Sequence, residues 1–201
     1  MGDGIEHITS NGTPIKVEKV YADMIVFEDK HGKTFAYPVG STMNSIEFKA
    51  NEVSEILNGL PKYIRKSYDG FVFAGGPHPI DKYWEVEYNW PGFVGGAYCG
   101  RITTIHCKDS LDWLEGMLCH EAGHNMDDAV RFSIRKKNEW EEAKVKDGKY
   151  PTEYAERTGS IREDIADSMK LYVRNRTDFK KEFSNRAKLI GELIKLVSKR
   201  R

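Results

Sequence analysis

The pentapeptide His120-Glu121-Ala122-Gly123-His124 constrains this chain more tightly than any other stretch. Two imidazoles four positions apart share one face only if the backbone is α-helical, so the segment predicts a helix. On that face both rings can reach a single metal ion. Glu121, beside the first ring, angles toward the same cleft, where a carboxylate can accept a proton from an attacking water. The competing reading is a chance match on a charged helix. With 6 histidines in 201 residues, such spacing seldom arises by accident.

Two histidines do not complete a catalytic zinc site, which takes three protein ligands and keeps a fourth position for water. His7, His31, His78 and His106 stand alone, without partner spacing. A metzincin would carry glycine at the position of Asp127 and a further ligand at that of Val130, so that continuation is excluded. The third ligand is therefore expected from a later element. Glu163, Asp164 and Asp167 compete for it. Glu163 and Asp167 lie i,i+4 on one helical face, so one can bind metal while the other orients a ring. Asp127, i+3 from His124, is expected to support the site in the same indirect way.

Around this motif the pattern divides in two. Residues 5–8, 15–20, 24–28 and 33–37 read as short strands separated by Asn11-Gly12 and His31-Gly32, which predicts a small β-meander over residues 1–42. Residues 43–201 read as a second unit. A helix is expected from residue 45, ended by Asn58-Gly59 and Pro61, followed by a strand at 71–73. Residues 83–88 alternate Trp84, Val86 and Tyr88 in the manner of a strand. Residues 97–99 and 102–107 form a predicted hairpin feeding the active helix, which runs from Asp109 or Ser110 to about Phe132. A short helix at 139–145, a polar loop at 150–159, a helix at 160–174 and an apolar C-terminal stripe (Phe179, Phe183, Ile190, Ile194, Val197) follow. The fold class is α+β, a mixed sheet with an active-site helix and a helical C-terminal part.

Formal net charge is zero, so the balance of charge asks for neither nucleic acid nor an anionic membrane. Three cysteines (Cys99, Cys107, Cys119) without CxxC spacing argue against a disulfide framework and favour a reducing compartment. No stretch spans a bilayer and no signal peptide is seen. The expectation is a monomer that is cytoplasmic, or secreted as part of a larger or processed protein.

The active helix and its continuation Asn125-Met126-Asp127-Asp128 resemble the anthrax lethal factor catalytic domain, a zincin-like family that includes the clostridial Pro-Pro endopeptidases. Those proteins carry a tyrosine and then a Glu-x-x-Ala-Glu helix. This chain has Tyr154 and then Glu163-Asp164-Ile165-Ala166-Asp167. The resemblance implies Glu163 as zinc ligand, Tyr154 as the tyrosine facing the substrate carbonyl, and Asp167 in place of the second glutamate. It covers residues 95–173. The chain departs from it in a longer stretch between Tyr154 and Glu163, and in Asp164-Ile165 where the family has an aromatic pair.

The function expected is that of a zinc endopeptidase acting on a peptide or protein. Its substrate would lie extended along Gly96, Ala97, Tyr98 and Cys99, which precede the active helix and are small enough for close approach. Two alternatives share the fold. One is a non-catalytic or structural zincin-fold protein, such as a phage morphogenesis or attachment component, and the other is a toxin effector protease.

Overall fold

The computed structural model describes residues 5–8, 12, 14–17, 24–28, 32–38, 50–73, 80–93, 95, 97–98, 100, 102–105 and 111–199. Four strands open the chain, β1 (Ile5–Ile8), β2 (Pro14–Val17), β3 (Met24–Glu28) and β4 (Thr34–Pro38). They do not form one meander. Among the described residues β1 and β2 pair only with each other, while the β3–β4 hairpin belongs to a five-stranded sheet of order β3-β4-β5-β7-β6. The remaining strands are β5 (Gly70–Phe73), β6 (Ala97–Tyr98) and β7 (Ile102–Ile105). β4 runs parallel to β5 with Phe35 opposite Phe71, so the sheet crosses residue 42, where a boundary was expected from sequence. Local turn signals carry no information about such pairing, which joins residues far apart in the chain. The parallel register leaves no room beside Thr34, and a Cβ on Gly70 would collide with its carbonyl oxygen.

Helices α1 (Ala50–Gly59) and α2 (Lys62–Arg65) connect β4 to β5, and α3 (Asp81–Glu87) follows β5. α3 replaces the strand that alternation at 83–88 suggested. Trp84 and Tyr88 are spaced equally well for a helical i,i+4 pair, and their rings stack at 5.1 Å. The Asp81 side chain accepts a hydrogen bond from the Gly95 N–H at 3.1 Å, which ties the start of this helix to the later loop.

The C-terminal half is helical: α4 (Leu111–Val130), α5 (Phe132–Arg135), α6 (Lys137–Asp147), α7 (Glu153–Thr158), α8 (Ile161–Arg174), α9 (Arg176–Glu182) and α10 (Ser184–Lys199). α7 lies where a polar loop was expected. Thr152 caps it by accepting from Ala155 N–H at 3.1 Å, and Gly159 ends it in the left-handed region at φ 62°. One apolar core joins Phe71, Phe73 and Ile105 of the sheet to Leu114 and Leu118 of α4, Ile165 and Met169 of α8, and Ile190 and Leu193 of α10. Among the described residues no helix is long and apolar enough to cross a membrane.

α4 and α8 cross at small residues. A Cβ on Gly123 would lie 2.7 Å from the Ala166 Cα, so the backbones touch there. Beneath α8 runs a buried ion network. Arg186, fully buried at the start of α10, pairs with Asp164 at 3.0 Å and with Asp147 at the end of α6 at 3.2 Å. Asp147 also accepts from the Asn185 and Arg186 backbone N–H groups, both at 3.1 Å, and so caps α10.

Candidate metal centre

His120 and His124 occupy successive turns of α4, and Glu163 sits in the first turn of α8. The Gly123–Ala166 crossing brings α8 close enough for the Glu163 carboxylate to reach both rings. Its Oε2 lies 3.3 Å from His120 Nε2 and 3.2 Å from His124 Nε2, and the two Nε2 atoms are 3.2 Å apart. Three lone-pair atoms that face one another at this distance repel unless a cation or shared protons lie among them. Glu163 Oε2 and His124 Nδ1 are buried without hydrogen-bond partners among the described residues. The donor set fits a metal ion: two imidazoles and one carboxylate on two helices, with ligating atoms within 4.8 Å of one another.

Asp167 settles the orientation of the first ring. Its Oδ1 accepts from His120 Nδ1 at 2.8 Å, which leaves Nε2 to face the centre. The other oxygen, Oδ2, accepts from the Thr152 hydroxyl, and Lys170 Nζ stands 2.8 Å from Oδ1. Burial pushes the Asp167 carboxyl up, but hydrogen bonds and the charges of His120 and Lys170 outweigh it and hold it at about 2. Burial works against a charged His120, yet the Asp167 and Glu163 carboxylates beside it push its pKa up to about 10. Glu163 is pushed up by burial and pulled further down by the two histidines, to well below the usual carboxylate range.

Glu121 is buried beside His120, and its Oε2 has no hydrogen-bond partner among the described residues. Burial raises its pKa against the opposing pull of the two histidines. Tyr154, on α7, places its ring 6.0 Å from that of His120. It also packs against Tyr88 at 6.3 Å and Trp90 at 6.1 Å. Burial, and next the charge of Glu163, keep its phenol protonated well above its ordinary range.

The other expected residues take separate places. Among the described residues no hydrogen bond joins Asp127 to either histidine. Its Oδ1 accepts from the Ser133 N–H at 2.6 Å and so fastens the junction of α4 and α5, where Arg131 takes a left-handed φ of 53°. Asp164 directly follows Glu163 in the chain, yet it turns about 100° away and is taken by Arg186. Of the expected substrate edge, Ala97 and Tyr98 form β6 at the margin of the sheet, while Gly96 and Cys99 lie outside the described residues. Cys119 is buried, and burial pushes its thiol up to about 12.

Sequence reasoning missed three contributors. Tyr88, read as a strand residue, donates to Glu163 Oε1 at 3.4 Å. Thr152 supports Asp167, and a Thr-x-x-Ala cap before an acidic turn is the signal that would have found it. Gly123 sets the approach of α8, a role invisible without the partner helix.

No protein-family model matches the sequence, and no curated protein sequence matches it. In shape the chain is similar to the structure of a Pro-Pro endopeptidase from Paenibacillus alvei, at TM-score 0.51 and 16% identity, covering 79% of this chain and 96% of that one. At this identity the likeness is one of fold: the chain shares the α+β architecture of that structure.

Proposed function

We propose that this chain is a zinc-dependent endopeptidase with a zincin-like fold of the lethal factor type, in which His120, His124 and Glu163 hold the ion. The observation that carries the reading is the triangle of ligating atoms with sides of 3.2 to 3.3 Å. Bonds of about 2.0–2.1 Å at tetrahedral angles require ligand atoms about 3.3 Å apart. When bound there, zinc supplies Lewis acidity toward a carbonyl and lowers the pKa of water toward neutrality.

The chain's own groups have separable tasks in this proposal. Glu121 Oε2, buried and without a partner, accepts the proton of the attacking water and returns it to the leaving amine nitrogen. Burial raises its proton affinity toward what a base needs for both halves of that cycle. The Tyr154 hydroxyl, kept protonated, donates to the carbonyl oxygen as charge develops on it. Asp167 fixes the His120 ring through Nδ1. The substrate lies extended against the β6 edge, pairing by its backbone along residues 96–99. A non-catalytic zincin-fold protein would need no base at position 121, and a buried, unpaired carboxylate oxygen there weighs against that alternative.

The test is cleavage of a degenerate peptide library with a chelator control. Glu121→Gln should lower the rate by about 10²–10⁴-fold while zinc content is unchanged. Undiminished cleavage would remove Glu121 from the mechanism, and cleavage that survives chelation would remove the metal. Tyr154→Phe should impair turnover with zinc retained.

A further inference from the structure

Tyr154, Trp90 and Arg157 form a ladder that leads away from the histidine site. The Tyr154 ring stands 6.0 Å from that of His120 and 6.1 Å from that of Trp90, and the Arg157 guanidinium carbon lies 3.8 Å from the centre of the Trp90 ring. Tyr154 and Arg157 are i,i+3 on α7, so they are neighbours on one face of that helix. Trp90 comes from the segment after α3 and is held from both ends. Its backbone N–H donates to the Glu85 carbonyl at 2.9 Å, its carbonyl accepts from the Phe93 N–H at 3.0 Å, and its ring meets that of Phe93 at 6.0 Å.

A cation over an indole is attracted by the negative face of the ring, and the contact limits where the guanidinium can go. Stacking occupies the face of a guanidinium and uses none of its five N–H donors, which point outward in its plane. Arg157 is exposed, and among the described residues no carboxylate pairs with it, although Glu153 and Glu156 lie on the same helix. By contrast, Arg162 pairs with Asp128 and Arg174 with Asp112. Arg157 is therefore a positioned, solvent-facing cation, one helical turn beyond the tyrosine proposed to face the scissile carbonyl. A carboxylate is the group that such a fork of donors binds at two points. An extended chain advances about 3.3–3.6 Å per residue, so the cation is within reach of a side chain about two or three residues from that carbonyl.

We propose that, given the peptidase activity proposed above, Arg157 determines specificity. It pairs with the carboxylate of an aspartate or glutamate side chain of the substrate about two or three residues from the scissile bond, so that acidic peptides are preferred. The test profiles cleavage sites in a degenerate library of C-terminally amidated peptides, in which the carboxylates are those of side chains. The zinc-loaded wild type, Arg157→Gln, Arg157→Lys and Arg157→Glu are compared, with a chelator control and with zinc content and Tm measured for each. For the best acidic peptide, kcat/KM is then set against that of its Asn or Gln counterpart.

The wild type should favour the acid over the amide by about tenfold, and by less at high salt. That ratio should fall to about one in Arg157→Gln, stay above one in Arg157→Lys and drop below one in Arg157→Glu. If Arg157 only packs on Trp90, its loss shifts Tm and leaves the ratio as in the wild type, which overturns the proposal. A wild type without preference for acids overturns it as well. Chelator-sensitive cleavage alongside either result leaves the peptidase reading standing, whereas absence of such cleavage overturns both.

Discussion

Replacing Gly123 by alanine adds one methyl group inside the proposed metal-binding motif. The new Cβ would lie 2.7 Å from Ala166 Cα, 3.2 Å from Met169 Cβ and 3.4 Å from Ala166 Cβ, all on α8. Carbon atoms at rest sit about 3.5–4.0 Å apart, so α8 must retreat by about 1 Å. Alanine gains about 0.5–1 kcal/mol of helix preference over glycine. Overpacking a tight contact costs about 1–3 kcal/mol, which leaves a net loss of up to about 2.5 kcal/mol and a fall in Tm of a few degrees. The larger consequence is at the metal. Glu163 and Asp167 ride on α8, and ligand distances tolerate only about 0.2 Å. Zinc affinity should therefore fall by about tenfold or more, measured by competition with a chromophoric chelator. Gly116→Ala on the same helix is the control. Its Cβ would meet only side-chain ends, Arg174 Nη1 at 3.2 Å and Lys170 Cδ at 3.6 Å, which can move aside. If Gly123→Ala melts like Gly116→Ala and holds zinc like the wild type, the α4–α8 crossing does not set the site.

Asp167→Asn should weaken zinc binding by about 10–100-fold, because the His120 ring loses its orienting carboxylate; equal affinity would place the orienting role elsewhere. Asp167 is held at about 2 against an ordinary value of 3.8. In chelator-treated protein it stabilises the fold above pH 3.8, and the benefit disappears as pH falls through 2. The gap between wild type and Asp167→Asn in urea denaturation should accordingly narrow from pH 5 toward pH 2. Arg186→Met strands Asp147 and Asp164 without their buried counter-charge and should cost about 3–5 kcal/mol by urea denaturation. A loss below about 1 kcal/mol would show that water reaches the network. Zinc at about 100-fold above its Kd should stabilise the chain by about 2.7 kcal/mol. A thermal shift of the same size in His120→Ala would refute the assigned ligand set.

Periodicity alone determined the helix that carries His120 and His124. His120 and His124 share a face in any α-helix, and no distant residue is needed to make them so. The helices at 50–59 and 161–174 were legible for the same reason, through local apolar spacing, caps and breakers. Where local signals support two answers, they misled. Trp84 and Tyr88 serve as a helical pair as readily as a strand face, and Thr152 and Gly159 bracket a helix where polarity suggested a loop. Sheet membership was illegible, because the parallel pairing of β4 with β5 bridges two helices. So was the identity of the third ligand from spacing alone. Glu163, Asp164 and Asp167 share one turn and one chemistry, and the resemblance to a known family, not their spacing, singled out Glu163. In the tertiary structure the proposed choice of Glu163 rests on contact. The small residues at Gly123 and Ala166 let α8 close on α4, which turns Glu163 toward both rings and Asp167 toward His120, while Arg186, distant in sequence, takes Asp164. A helix settles by short-range geometry which side chains share a face. What that face meets depends on packing between segments the chain separates, and only the folded structure holds that information.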